Sequence, residues 1–209
     1  MIGTKNIKFN KIKALQPDII ICNKEENTKE IVEELSAICL VWVTDIYTIE
    51  DNNQMIHDFG EIFNKRTNAS KWIDKINFAH QDFQNFIQNK YSDTLKKKAA
   101  YFIWANPYMV VGNTTFINEM LKLNHFQNIY ESKEGRYPEV ELKKIRLEGD
   151  PDYIFLSSEP FPFKDKHAFE IGTFTHHAIT VFVDGEMFSW YGSRLVKAFS
   201  YFKTLHSKI

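Results

Sequence analysis

Lys11-Ile12-Lys13-Ala14-Leu15-Gln16-Pro17-Asp18-Ile19-Ile20-Ile21 changes character in the middle, and that change decides the fold class. The first half is basic and amphipathic, as a surface helix is. Proline lacks an amide hydrogen and crowds the preceding residue out of helical geometry, so the helix stops at Pro17-Asp18. A continuous apolar run follows instead of an alternating one, the pattern of a strand covered on both faces in a parallel sheet. The same phrase returns in Lys144-Ile145-Arg146-Leu147-Glu148-Gly149-Asp150-Pro151-Asp152-Tyr153-Ile154-Phe155-Leu156, with one residue inserted. Both copies leave the strand through a short polar stretch containing glutamate, Asn23-Lys24-Glu25-Glu26 and Ser157-Ser158-Glu159. The shared pattern, turn chemistry and exit read as a structural repeat.

Helix and strand alternate around the first copy. Asn27 with Glu30 reads as a capping-box start, and 40–43 as the next strand. Thr48 with Asp51 opens another helix, whose apolar stripe includes Ile49, Met55, Ile56 and Phe59. Residues 69–91 keep a helical period without glycine or proline. At ~1.5 Å per residue this helix would be roughly 35 Å long, the width of a small domain and fit to be a rigid connector. A second series begins after Lys96-Lys97-Lys98. It comprises a strand over 99–104, a helix over 115–123, a helix over 138–147 with proline in its first turn, the repeated strand at 153–156, a strand at 179–183 and a terminal helix over about 186–206. The expected organisation is a partial first α/β lobe over 1–66, a connecting helix over 67–95 and a second α/β lobe over 96–209. The first lobe is short by its own strand count.

Composition narrows the function classes. The 209 residues are 44% hydrophobic and 25% charged with a net charge of −1, enough for a sizeable core and without the basic excess of a nucleic-acid binder. No apolar run is long enough to span a bilayer. Met1-Ile2-Gly3-Thr4-Lys5-Asn6 has no signal core, so the chain as written is expected in the cytoplasm, or in the periplasm if a longer form carries a leader. Cys22 and Cys39 sit in apolar stretches and read as free thiols.

Ligands of parallel sheets bind beyond the carboxyl ends of the strands. Those ends carry Lys24 and Glu25, then Thr44 and Asp45, in the first lobe. In the second they carry Trp104 and Tyr108, Glu159 and Phe161, and Glu186 and Trp190. The aromatics either line a cleft or pack under their loops. Enzyme signatures are missing: no phosphate loop, no nucleophile elbow, and no metal-ligand spacing. Gly112-Asn113-Thr114-Thr115 reads as a helix cap, adjacent His176 and His177 do not converge on one metal, and Glu25-Glu26 has no partner nucleophile.

Gly3-Thr4-Lys5-Asn6, residues 11–18, the exit at 23–27, Tyr137-Pro138-Glu139-Val140, Gly149-Asp150-Pro151-Asp152 and Asp184-Gly185-Glu186-Met187-Phe188 together resemble the helical-backbone periplasmic binding proteins of ABC importers for cobalamin and iron chelates, the cobalamin-binding branch in particular. The resemblance implies two Rossmann-like lobes with parallel sheets joined by one long helix, and no catalytic activity. It also implies a corrinoid carried as transported ligand, with no cofactor and no metal of its own, and a monomer that meets an ABC permease. It begins partway into the family pattern, so the first lobe is expected to be incomplete and the chain truncated. By position it places an aromatic ligand contact at Tyr137, an acidic one at Glu186 and a first-lobe contact at Lys24. Glu25, Trp104, Tyr108, Glu159, Phe161 and Trp190 follow from loop context. The glutamates that dock the family on permease arginines fall at Asn10 and Lys143 here, with Glu139 and Glu141 beside the latter. Lys143 would reverse the local charge. The alternatives are an iron-siderophore or haem binder, which calls for basic residues in the cleft, and a non-transport cytoplasmic cobamide-handling or interaction module.

Overall fold

Pro17 does separate a first helix from a first strand. In the computed structural model, which describes residues 7–92 and 94–209, helix α1 (Phe9–Ala14) ends ahead of the proline and strand β1 (Ile19–Asn23) begins after it. The Gly3-Thr4-Lys5-Asn6 stretch lies outside the described residues. The chain forms two compact units, Met1–Ile46 and Tyr47–Ile209.

In the first unit, helix α2 (Lys29–Ser36) connects β1 to strand β2 (Leu40–Thr44), and the two strands pair in parallel from Ile19↔Leu40 to Asn23↔Thr44. The α2 cap is Thr28, whose hydroxyl accepts from the Ile31 amide at 3.4 Å. Asn27, the expected cap, instead accepts from the Asn23 amide at 3.0 Å and closes the loop after β1. The expectation that this strand is covered on both faces is not met, since Ile21, Leu40 and Val43 are exposed. Cys22 and Cys39 are free thiols, and burial pushes the Cys22 pKa up.

The second unit opens on helix α3 (Ile49–Ile62), started by the expected Thr48–Asp51 capping box. Helix α4 (Arg66–Tyr91) has 26 residues, roughly 39 Å of helix, and packs on α3 and on the terminal helix. The strands and helices that follow are β3 (Lys97–Trp104), β4 (Met109–Val110), α5 (Phe116–Leu123), β5 (Phe126–Asn128), α6 (Ile145–Glu148), β6 (Tyr153–Ser157), α7 (Asp165–Gly172), β7 (Ile179–Val183), α8 (Gly185–Ser189) and α9 (Leu195–His206). Strand β3 is central: β6 pairs with it in parallel and β7 with β6, while β5 pairs in parallel at Lys97, Lys98 and Ala99 and β4 antiparallel near Trp104. Tyr101, Phe102, Ile154, Phe155 and Leu156 are fully buried. This is the expected α/β fold with parallel-dominated sheets and one long helix.

Two expected helices differ. Residues 138–140 are extended, with Glu139 bridged antiparallel to Met109. Helix starts only in a 3-10 turn at Leu142–Lys144 leading into α6. Pro138 tolerates either setting, and here its carbonyl accepts from the Val110 amide. The terminal helix is broken: α8 ends at Ser189, Trp190 and Tyr191 are extended, and Gly192 adopts φ +75° before α9. Helix α7, not expected from the sequence, connects β6 to β7 and buries His167 and Ile171.

Candidate ligand-binding face

The carboxyl ends of β3, β6 and β7 place three loops of the second unit side by side. Trp104, the last residue of β3, stands edge-on to Phe161 with ring centroids 5.5 Å apart, and Phe161 packs at 4.9 Å on buried Phe163. Trp104 is 41% exposed, so Phe161 forms its floor while the indole faces solvent.

The β6 and β7 exits are stitched together. Ser157 Oγ accepts from buried Tyr101 at 3.1 Å, and the Gly185 amide donates to Ser158 Oγ at 2.9 Å. Any side chain at Gly185 would put its Cβ 2.4 Å from Ser157 Oγ and 2.7 Å from Glu159 Cγ, so only glycine allows the loops this close. Glu159 then receives the Trp190 indole N–H at 2.7 Å and the Ser189 hydroxyl at 3.3 Å on one carboxylate oxygen. Trp190, 51% exposed, is thereby fixed at its nitrogen while much of its ring remains open. Arg194 lies over the ring at 5.4 Å and is ion-paired with Glu186. The cation pairs with one carboxylate and sits over the indole face.

Tyr137 comes from a different element. Its segment is laid onto β4 by Val110 N–H to Pro138 O at 3.1 Å, Val140 N–H to Tyr108 O at 2.9 Å and Gly112 N–H to Arg136 O at 2.8 Å. A Cβ at Gly112 would sit 2.4 Å from the Gly135 carbonyl. Tyr137 is half-buried, and Arg136 beside it lies over the Tyr47 ring at 5.1 Å and donates to its hydroxyl at 3.4 Å.

The remaining named residues fall elsewhere. Tyr108 turns its hydroxyl to Glu170 on α7 at 2.7 Å and its ring edge to Phe102; burial and then Glu170 push its pKa upward. In the first unit, Lys24 pairs with Asp45 at 2.5 Å, and the Glu25 amide donates to Asn23 Oδ1 at 2.7 Å. Asn10 is exposed on α1. Glu141 pairs with Lys143 at 3.1 Å and Lys144 at 2.5 Å, which lowers its pKa, and Glu139 stays exposed on its bridge. Thus Glu159 with Trp190, and Trp104 with Phe161, are brought into contact, and Glu186 is joined to an arginine. Arg136, Arg194 and Asn52 were not singled out from sequence. The available signals were the position of Arg136 beside Tyr137 and the helix-breaking Gly192-Ser193-Arg194.

Among the described residues no group of three or more His, Cys, Asp or Glu side chains is arranged to hold a metal. None of their helices is long and apolar enough to cross a membrane. Exposed aromatics fixed by a hydrogen bond at Trp190 and by ring packing at Trp104, at the carboxyl edge of a parallel sheet, are the features of a face that binds. The chain belongs to the periplasmic binding protein family, whose pattern matches residues 3–172. Members of this helical-backbone class are substrate-binding proteins of ABC importers, not enzymes, and carry transported ligands rather than cofactors. The expectation of a cytoplasmic chain finds no support in that family.

The vitamin B12-binding protein of Vibrio parahaemolyticus is 22% identical over 157 residues, 73% of this chain and 54% of that protein. This chain thus spans about half the length of that curated relative. Among solved structures, the periplasmic vitamin B12-binding protein BtuF of Vibrio cholerae superimposes with a TM-score of 0.79 at 16% identity, over 99% of this chain and 80% of the other. The periplasmic haem-binding protein BhuT, solved with two haems, gives 0.81 at 14% identity over 98% and 79%. At such identities these two show the shared fold.

Proposed function

We propose that this chain is the solute-binding component of an ABC uptake system, working outside the cytoplasmic membrane, and that its ligand is a corrinoid of the cobalamin kind. The observation that carries the reading is the Trp190 platform: an open indole face fixed by Glu159 at the β6 exit, with the exposed indole of Trp104 at the end of β3, on the other side of β6. A corrin offers a broad apolar face edged with amides, and aromatic walls with scattered hydrogen-bonding groups suit it. The likeness to B12-binding relatives supports the same ligand class. Tyr137, Phe161 and Glu186 are proposed contacts on this face, with Tyr108 at its margin; Lys24 and Glu25, at the β1 exit, are proposed ligand contacts of the first unit. A permease is the proposed partner. Pairing of Glu141 with two lysines weakens the acidic signal that docking on arginines would use.

A second reading, haem or an iron siderophore, is favoured by Arg194 and Arg136, cations on this face that suit the carboxylates of such chelates. Titration of the protein with cyanocobalamin, cobinamide, hemin and a ferric siderophore, followed by calorimetry, separates the two. Heat with the corrinoids alone supports the first reading, and heat with hemin or the siderophore alone replaces it with the second. Trp190→Ala and Tyr137→Ala should each weaken corrinoid binding about tenfold or more, the loss expected on removing an aromatic anchor. Unchanged affinity in both would misplace the face.

A further inference from the structure

A helix normally buries apolar side chains, yet Asn52, in the first turns of α3, is fully buried. Burying an amide is costly unless both its polar ends find partners. Its Oδ1 accepts the backbone N–H of Gly192, 140 residues away, at 2.6 Å. Its Nδ2 donates to Asn53 Oδ1 at 3.3 Å, and Asn53 Nδ2 donates to Asn77 Oδ1 on α4 at 2.8 Å. Three side-chain amides therefore point the same way, from the Gly192 N–H through α3 to α4, so each bond polarises the next.

The far end of this relay is the segment that breaks the terminal helix. Gly192 has φ +75°, so its amide leaves the helical ladder and needs an acceptor from outside. Asn52 supplies it. Two residues before Gly192 stands Trp190, and two after it Arg194. Five residues before Asn52, Tyr47 meets Arg136, the neighbour of Tyr137. The start of α3 and Tyr47, the residue ahead of its cap, therefore touch both loops that present the proposed ligand contacts.

We infer that Asn52 is a positioning residue for the binding face: it clamps the Trp190–Arg194 segment through Gly192 and, by way of Asn53 and Asn77, sets its place against helix α4. The inference rests on the proposed function for its consequence in binding, though the clamp itself can be tested without any ligand. Asn52→Leu fills the same volume without an acceptor, Asn52→Ala removes it, and Asn52→Asp keeps an acceptor for Gly192.

Amide hydrogen exchange read at Gly192 by NMR is the measurement. Protection at Gly192 should fall about tenfold in the Leu and Ala variants, the size expected for one lost hydrogen bond. It should be retained in the Asp variant, with amides of β3 and β6 unchanged in all three. Wild-type protection at Gly192 in Asn52→Leu would overturn the inference, as would equal loss across β3 and β6, since that is general destabilisation. Cyanocobalamin binding is then compared across the same variants. Faster dissociation in Leu and Ala with recovery in Asp supports positioning, whereas unchanged dissociation removes the role in binding. If the wild type does not bind cyanocobalamin, the corrinoid reading fails while the exchange result still decides the clamp.

Discussion

Glu159 and Trp190, 31 residues apart, meet through a hydrogen bond of 2.7 Å from the indole nitrogen to the carboxylate. The bond fixes the plane of an exposed ring without covering its face. Glu159→Gln keeps an acceptor and Glu159→Leu does not. The Trp190 indole N–H resonance should therefore stay near its place in the Gln variant and move, with faster solvent exchange, in the Leu variant. Trp190→Phe should retain more ligand affinity than Trp190→Ala, because the apolar ring supplies most of the contact area.

Gly185 and Gly172 make a matched pair. An alanine at 185 would drive its methyl into Ser157 and Glu159, whereas nothing lies within 4 Å of one at 172. Urea unfolding should show Gly185→Ala less stable by about 1–3 kcal/mol, as for overpacking in a tight site. Gly172→Ala should be neutral or up to about 1 kcal/mol more stable, since alanine favours helix.

Gly112→Ala should act on Tyr137 at a distance. The new methyl would press on the Gly135 and Arg136 carbonyls, at 2.4 and 3.2 Å, and lift the segment off β4. Amides of 110, 112 and 140 should lose exchange protection, and ligand affinity should fall although no proposed contact has been changed.

His206 predicts an acid limb in stability. It is buried among Phe83, Phe86, Phe126 and Tyr91 at the joint where α9 meets the end of α4. Asn124 spends its N–H on the Met120 carbonyl and so turns its oxygen to His206 Nε2 at 3.0 Å. Nε2 therefore carries the proton, and Nδ1 accepts the Tyr91 hydroxyl at 2.9 Å. The neutral ring satisfies both partners. Burial, then Lys90 and His125, lower its pKa from 6.5 to about 4. Below pH 6.5 the unfolded chain takes up a proton that the folded one refuses, so stability falls from there towards pH 4, by up to about 3 kcal/mol. Burial lowers the His80 pKa too, with the same sign. His206→Gln should shrink the slope between pH 6.5 and 4 without abolishing it, as read by urea midpoints at successive pH values.

Much of this was legible in the chain because local chemistry allows few choices. Proline before a β-rich run stops a helix wherever it occurs, and Thr48 with Asp51 caps one. The exits at Lys24, Trp104, Glu159 and Glu186 follow from the strands themselves. What could not be read depends on residues distant in sequence. Pro138 accepts a helix start or an extended bridge, and β4 decides. The glycine at 192 can sit in a helix or break it, and the break is settled by Asn52, 140 residues away, which accepts its amide. Arg194 and Arg136 gain meaning only from Trp190 and Tyr47.

The close approaches at Gly112 and Gly185 bear on how such a face could change its ligand in evolution or in the laboratory. Gly112 lets main chain approach main chain, and Gly185 admits the Ser157 and Glu159 side chains, so the loop frame depends on two glycines that themselves touch no ligand. Trp104, Tyr137 and Trp190 project from that frame as replaceable decoration, while Phe161 stays packed on Phe163 beneath Trp104. A combinatorial library randomised at those three sites, with both glycines and Phe161 kept, should yield mostly folded members of differing selectivity. The same library built on Gly185→Ala should be depleted of folded members before selectivity is ever sampled.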